Sequence, residues 1–178
     1  MMKRVFGTKC RGMTVVELVV TIGLLATAAA FAAPNIIEWL PNYRLNAAAR
    51  DMVNHMNRAK SSALKNDCYG VITFDLDISG TTYDYVIYLD RNKDLQYDSS
   101  ETILFLVNFN TDYSQSVSLA SVPTFPNNGN GRPTLAFNRR GLTIVAGGGL
   151  ASGTVDLINT NGKTKQITVS AVGGLRIS

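Results

Sequence analysis

Residues 13–33, MTVVELVVTIGLLATAAAFAA, hold one ionisable side chain, Glu17, in 21 positions. As a helix rising about 1.5 Å per residue, this run reaches about 31 Å, the thickness of a bilayer's hydrocarbon core. The twelve residues before it carry four bases (Lys3, Arg4, Lys9, Arg11) and no acid. A short basic head before an apolar run stays cytoplasmic, which sends everything after residue 33 to the far side of the membrane.

Three processing fates fit such a run. It can remain as a plain signal anchor, or be cut as a secretory signal near Ala30-Phe31-Ala32, an A-x-A pattern. Against the second, the run exceeds the usual 7–15 apolar residues and contains a carboxylate. The third fate is a cut between Gly12 and Met13, which removes the basic head and leaves the apolar run as the new amino terminus.

The cut changes the electrostatics of the whole chain. The formal charge is +4, from 17 bases and 13 acids. Seventeen bases less the four of the head leaves 13, against 13 acids, so the remaining chain is neutral. Its charges are nonetheless sorted: residues 39–65 hold five bases and one acid, 66–112 two bases and nine acids, and 113–178 six bases and one acid. The acidic middle is expected to dock on basic parts of its own or a neighbouring subunit. Of the two cysteines, Cys10 goes with the head, and Cys68 is left without an intramolecular partner for a disulfide.

The residues carrying the third fate are a basic head, Gly12, Met13, three further residues, Glu17 and a long apolar helix. This arrangement resembles the class III signal of type IV prepilins and type II secretion pseudopilins. The resemblance implies cleavage after Gly12 by the prepilin peptidase, N-methylation of Met13, and Glu17 as fifth residue of the mature chain. Pro34, 22 residues into that chain, stands where type IV pilins often carry a helix-kinking proline. A carboxylate in lipid costs about 2.5–3.5 kcal/mol on insertion scales and calls for a partner. The amine that the cut exposes on Met13 of a neighbouring subunit can supply one. The competing reading is that Glu17, about one turn from the helix end, reaches up to the interface.

After Pro34 the pattern becomes amphipathic. Leu45, Ala48, Met52, Met56, Ala59 and Ala63 recur at three- and four-residue steps and form a narrow apolar stripe to pack on another element. Pro41 adds an expected bend or brief break. His55, the only histidine, has no cysteine or second histidine at ligand spacing and reads as solvent-facing or groove-lining.

From residue 67 onward the runs are short and rich in Val, Ile, Thr, Tyr and Phe: CYGVITFDLD, TYDYVIYLD, TILFLVNF, QSVSLASV, TLAFN, GTVDLIN and TKQITVS. Separated by Gly, Asn, Asp and Ser, they predict seven or more antiparallel strands. NTNGK (159–163) signals a hairpin, AGGGLASG (146–153) a turn, and VPTFPNNGNGRP (122–133) the longest loop. The expected fold is α+β: a long amino-terminal helix, transmembrane in its first half and amphipathic in its second, packed on a carboxyl-terminal antiparallel β domain. The divisions are a leader at 1–12, a helix at 13–66 with its span near 13–33, and a periplasmic or extracellular head at 67–178. DRNKDLQYDSSETILF, FNRRGL and ITVSAVGGLRIS within the head resemble the GspH/FimT branch of minor pilins and pseudopilins.

Three chemistries can be placed on particular residues. Asp90, Asn92, Asp94, Gln96, Asp98 and Glu101 have the 1, 3, 5, 7, 9, 12 spacing of an EF-hand calcium loop, although Leu95 stands where glycine makes the sharp turn and strands flank the segment. The alternative is an acidic hairpin loop kept soluble by charge. Some members of the FimT branch bind DNA, which would put Arg132, Arg139, Arg140, Lys163, Lys165 and Arg176 on phosphates. That branch's tail pattern is Gly-Arg-x-Arg, and here it reads Gly173-Gly174-Leu175-Arg176, without the first arginine. Catalysis has no foothold, since one histidine and one mature cysteine make no nucleophile–base set and no glycine loop opens a helix. No cofactor is implied. The resemblance implies other pilin subunits, the prepilin peptidase, an inner-membrane assembly platform and the membrane as partners. It also implies an inner-membrane precursor with a periplasmic head that enters a pilus or pseudopilus.

Overall fold

A computed structural model of the chain describes residues 12–178, apart from the side chains of residues 32–37. The basic head and Cys10 lie outside the described residues, as does the side chain of Pro34. Helix α1 spans Val15–Asn66 and runs on through Pro34 and Pro41, so no break falls at Pro41. The chain divides into two compact units between Trp39 and Leu40. The second half of the helix therefore belongs to the same unit as the strands.

In the first unit the helix opens at a cap. The Thr14 hydroxyl accepts the Glu17 N–H at 3.2 Å and the Thr14 carbonyl accepts that of Leu18 at 3.1 Å. Thr-x-x-Glu is the arrangement that satisfies otherwise orphaned N–H groups at a helix start. Large apolar side chains from Met13 to Phe31 are exposed all around the helix. Among the described residues no helix is long and apolar enough to cross a membrane. The span expected over 13–33 includes residues 32 and 33, whose side chains are not described.

The second unit is the α+β head. Nine strands follow the helix: β1 Tyr69–Ile78, β2 Thr81–Asp90, β3 Thr102–Val107, β4 Val117–Leu119, β5 Thr134–Phe137, β6 Thr143–Ile144, β7 Gly153–Asn159, β8 Thr164–Val169 and β9 Leu175–Ile177. A one-turn helix, α2 (Phe109–Asp112), sits between β3 and β4. The strands form two antiparallel sheets, ordered β3-β2-β1-β5-β6 and β4-β7-β8-β9. Every residue of the predicted stripe is buried, from Leu45 to Ala63. All but Ala63 join one core with Phe74, Tyr85 and Leu135 of the first sheet and Val155, Leu157 and Ile167 of the second. Helix and first sheet lie close together at Gly70, where a Cβ would run into the carbonyl of Ala59.

The segment 122–133, predicted as the longest loop, contributes to the core. Phe125 is buried and stacks on Phe74 with ring centroids 5.9 Å apart. Its backbone makes an isolated bridge, Asn127 to Pro133. The 159–163 hairpin forms as expected, with Gly162 at φ +75° and the Asn159 side chain accepting the N–H groups of Asn161 and Lys163.

Candidate functional site

Gly12, Met13 and Thr14 precede the helix and are exposed, so the bond between Gly12 and Met13 lies in non-helical, accessible chain. Glu17 is in the first helical turn, where the macrodipole favours an acid. The cap itself is made by the Thr14 hydroxyl on the Glu17 backbone N–H, and its signal, Thr14 at the helix start, is readable in the sequence.

The loop 90–101 turns its carboxylates onto its own backbone. Asp90, fully buried, accepts Lys93 N–H on one oxygen and Leu95 N–H on the other at 2.8 Å. Asp94 accepts Gln96 N–H, and Asp98 accepts the N–H and hydroxyl of Ser100. The sharp turn is made without glycine: Lys93 and Leu95 take φ +66° and +60°, and Leu95 is held there by burial. Glu101 gives one oxygen to Asp98 N–H at 3.3 Å, while its Oε1 is buried without a partner. Burial, with Asp90 beside it, pushes the Glu101 carboxyl up to about 7. Among the described residues no group of three or more His, Cys, Asp or Glu side chains converges as a metal site.

The six bases proposed for phosphate contact do not form one patch. Arg132 pairs with Asp75 at 3.4 Å, and Arg139 with Asp67 at 3.3 Å. Lys163 lies on the β7–β8 turn, Lys165 on β8 and Arg176 on β9, all in the other sheet. Arg139 and Arg140 do come together with Lys93 around a cleft of about 300 Å³. The tail glycines build a turn: Gly173 is buried at φ +76°, Lys60 Nζ donates to its carbonyl at 2.9 Å, and Ser170 accepts Gly173 N–H at 2.9 Å. The Arg132–Asp75 and Arg139–Asp67 pairs both join the basic last third of the sequence to its acidic middle, as the charge sorting suggested.

His55 is not solvent-facing. It is half-buried between helix and first sheet, stacked on Phe105 at 3.8 Å, with Nδ1 3.0 Å from the Tyr85 hydroxyl. Burial holds its pKa below the usual histidine range, opposed by Asp51 and Asp112. Burial also raises Tyr85. Next to them Tyr113 donates to Asp51 at 2.8 Å. Cys68 is a free buried thiol, pushed up by burial.

None of these settings gathers a nucleophile, base and oxyanion site in one place. What the first unit presents is a capped, exposed apolar helix, and what the second presents is a two-sheet α+β head. Residues 48–173 match the family model of the type II transport protein GspH. The chain is 27% identical over 170 residues to the pilin-like protein PilA1 of Thermus thermophilus, covering 94% of this chain and 97% of that one. No solved structure matches. The GspH match takes in most of the head, and the chain belongs to that family of minor pilins and pseudopilins, structural proteins of the pilin type.

Proposed function

We propose that the chain is a minor pilin or pseudopilin made as an inner-membrane precursor. Residues 13–33 span the bilayer, the prepilin peptidase cuts between Gly12 and Met13, and Met13 is N-methylated. The helix then passes through the assembly platform into a filament, with the head outside. There the subunit primes, caps or links. The observation that carries this reading is the exposed apolar surface of α1 from Met13 to Phe31 in a chain of the pilin type. Such a surface is tolerated only against lipid or other apolar helices.

Glu17 has the assembly role in this reading: its carboxylate meets the Met13 amine of a neighbouring subunit. Pro34 supplies the helix irregularity that lets neighbouring helices pack. Amino-terminal sequencing and mass measurement of the native protein test the processing, with a chain beginning at methylated Met13 expected. A chain beginning at Ala33, or retaining Met1, would overturn the proposal. Glu17→Ala is expected to leave the precursor cut and folded but absent from the filament fraction.

A second reading, DNA capture during uptake, is favoured by one observation, the cleft in which Lys93, Arg139 and Arg140 outnumber the one acid, Asp67. Its test is a gel shift with the full chain across salt concentrations, since phosphate contacts give a steep salt slope. Absence of any shift at low salt removes it.

A further inference from the structure

The register of β1 and β2 sets two like charges against each other. Phe74 pairs with Tyr85 and Leu76 with Tyr83, so Asp75 and Asp84 fall opposite one another. Like charges at such positions destabilise a sheet. Asp75 leaves the ladder with φ +53° and takes Arg132 as its cation. Asp84 has no cation among the described residues. Its carboxylate accepts the Phe109 N–H at 2.6 Å, and partial burial raises its pKa, with Asp75 adding to the effect.

Both carboxylates line a groove of about 520 Å³ between the sheets, whose walls include Phe74, Tyr83, Leu119 and Val122. Apolar walls with carboxylates among them suit a side chain with a long aliphatic stem and a cationic head. Arginine suits best, because its planar fork serves carboxylates with several donors.

The chain carries such side chains at the other end of β5. The turn after this strand, residues 138–141, is fixed by the Asn138 side chain, which accepts the N–H groups of Arg140 and Leu142, and by Gly141 at φ +73°. Arg139 and Arg140 are both exposed. The Arg140 guanidinium has no partner among the described residues. Arg139 pairs only with Asp67, across a contact whose side chains are 63% and 68% exposed, a setting in which an ion pair contributes little. Pro133, at the groove, and Asn138, at the turn, bracket the four residues of β5, which places them about 15 Å apart on one sheet. Groove and turn therefore cannot meet within one molecule.

We propose that the Arg139–Arg140 turn of one copy docks in the Asp75–Asp84 groove of a second copy. The contact rests on the filament reading and deepens it. Because turn and groove are different surfaces, the contact is heterologous and leaves a free turn on one copy and a free groove on the other.

The test uses the full chain in detergent micelles, followed by sedimentation velocity at about 50 mM and about 500 mM salt, which moves the screening length from well above to near contact distance. Wild type is expected to associate at low salt and to dissociate at high salt. Arg139→Glu/Arg140→Glu should weaken association at least tenfold. So should Val122→Lys, which adds a cation at the groove's lip at a position 74% exposed and disturbs no packing. Mixing the two variants should restore a one-to-one complex, because one retains the acidic groove and the other the arginine turn. Association of both variants at wild-type strength, no salt-sensitive association of wild type, or no complex in the mixture would each overturn the contact. So would a double-arginine variant that loses a DNA gel shift while keeping self-association. If the chain is found in the filament fraction while both variants associate unchanged, the contact fails and the filament reading stands. Absence from that fraction sinks the filament reading instead.

Discussion

The same residue types meet opposite fates in the two units. In the first, Val, Leu and Ile side chains between Val15 and Leu25 are exposed by 48–78%. In the second, Met52, Met56, Ile72, Ile87 and Leu135 are sealed to 0%. Burial of an apolar side chain is worth about 1.5–3 kcal/mol, so the head has drawn its stability from its own residues, the second half of α1 included, and the first unit has not. The difference teaches that the chain is finished at one end and unfinished at the other. An apolar surface of that kind is tolerated only against lipid or another apolar helix, whereas the core of the head is closed by residues of its own unit.

The largest test of this contrast is the close approach of helix and strand at Gly70. Gly70→Val would push a branched side chain into the Ala59 backbone and pry the helix from β1. A loss of about 3 kcal/mol or more is expected, enough to abolish a cooperative melting transition of the head or lower it by more than ten degrees. A melting curve by circular dichroism on the detergent-solubilised chain decides it. An unchanged transition would show that the head does not depend on this helix contact.

Met56→Ala comes next. The side chain is fully buried in the main core, and truncation leaves a cavity that costs about 2–4 kcal/mol. Chemical denaturation should show a shifted midpoint with an unchanged slope.

The contrast extends to acids. Glu17 lies on the exposed helix, whereas Glu101 is tucked at the corner of the acidic loop with Oε1 buried and unpartnered. The folded head holds the Glu101 proton up to about 7 against an ordinary 4.5. The native state thus binds more protons than the unfolded one across that window, and stability falls as pH rises from about 4.5 to about 7. Glu101→Gln places an N–H₂ beside Asp90 and removes the loss. It is expected to stabilise the head by about 1 kcal/mol at pH 8, a figure discounted for the partial exposure of Glu101, and by almost nothing at pH 4. Melting at the two pH values checks the sign. Equal effects at both would show that the loop carboxyl does not titrate in this way.

How much of this was legible in the sequence depends on how far apart the cooperating residues lie. The stripe Leu45 to Ala63 was legible because a 3.6-residue period is local, and the hairpin at 159–163 because Asn-Gly states its own turn. Strands β6 and β9 escaped, since two or three residues carry no period. Phe125 was read as loop because Pro, Asn and Gly surround it, yet its ring completes the core under Phe74. The split into two sheets follows from β1 pairing with β5 across some sixty residues, which no local pattern announces. At the candidate sites, the Gly12, Met13, Glu17 spacing was visible, whereas the opposition of Asp75 and Asp84 exists only once the register is fixed. The setting of His55 was hidden likewise, because Phe105 comes to it from a strand fifty residues on.

The smallest expected effect sharpens the comparison most. Leu24→Ala removes as much apolar side chain as a typical core truncation, but at a position 65% exposed. With no surrounding atoms to lose, no cavity forms, and the melting of the head should move by less than about 0.5 kcal/mol, against the 2–4 kcal/mol expected at Met56. The cost should appear in another measurement. The variant loses about 2 kcal/mol of transfer into lipid, so partition of the chain between membrane and aqueous fractions after carbonate extraction should shift toward the aqueous. A large loss of head stability would mean that the amino-terminal helix is folded into the head after all. Unchanged stability with unchanged partition would mean that Leu24 meets neither lipid nor protein.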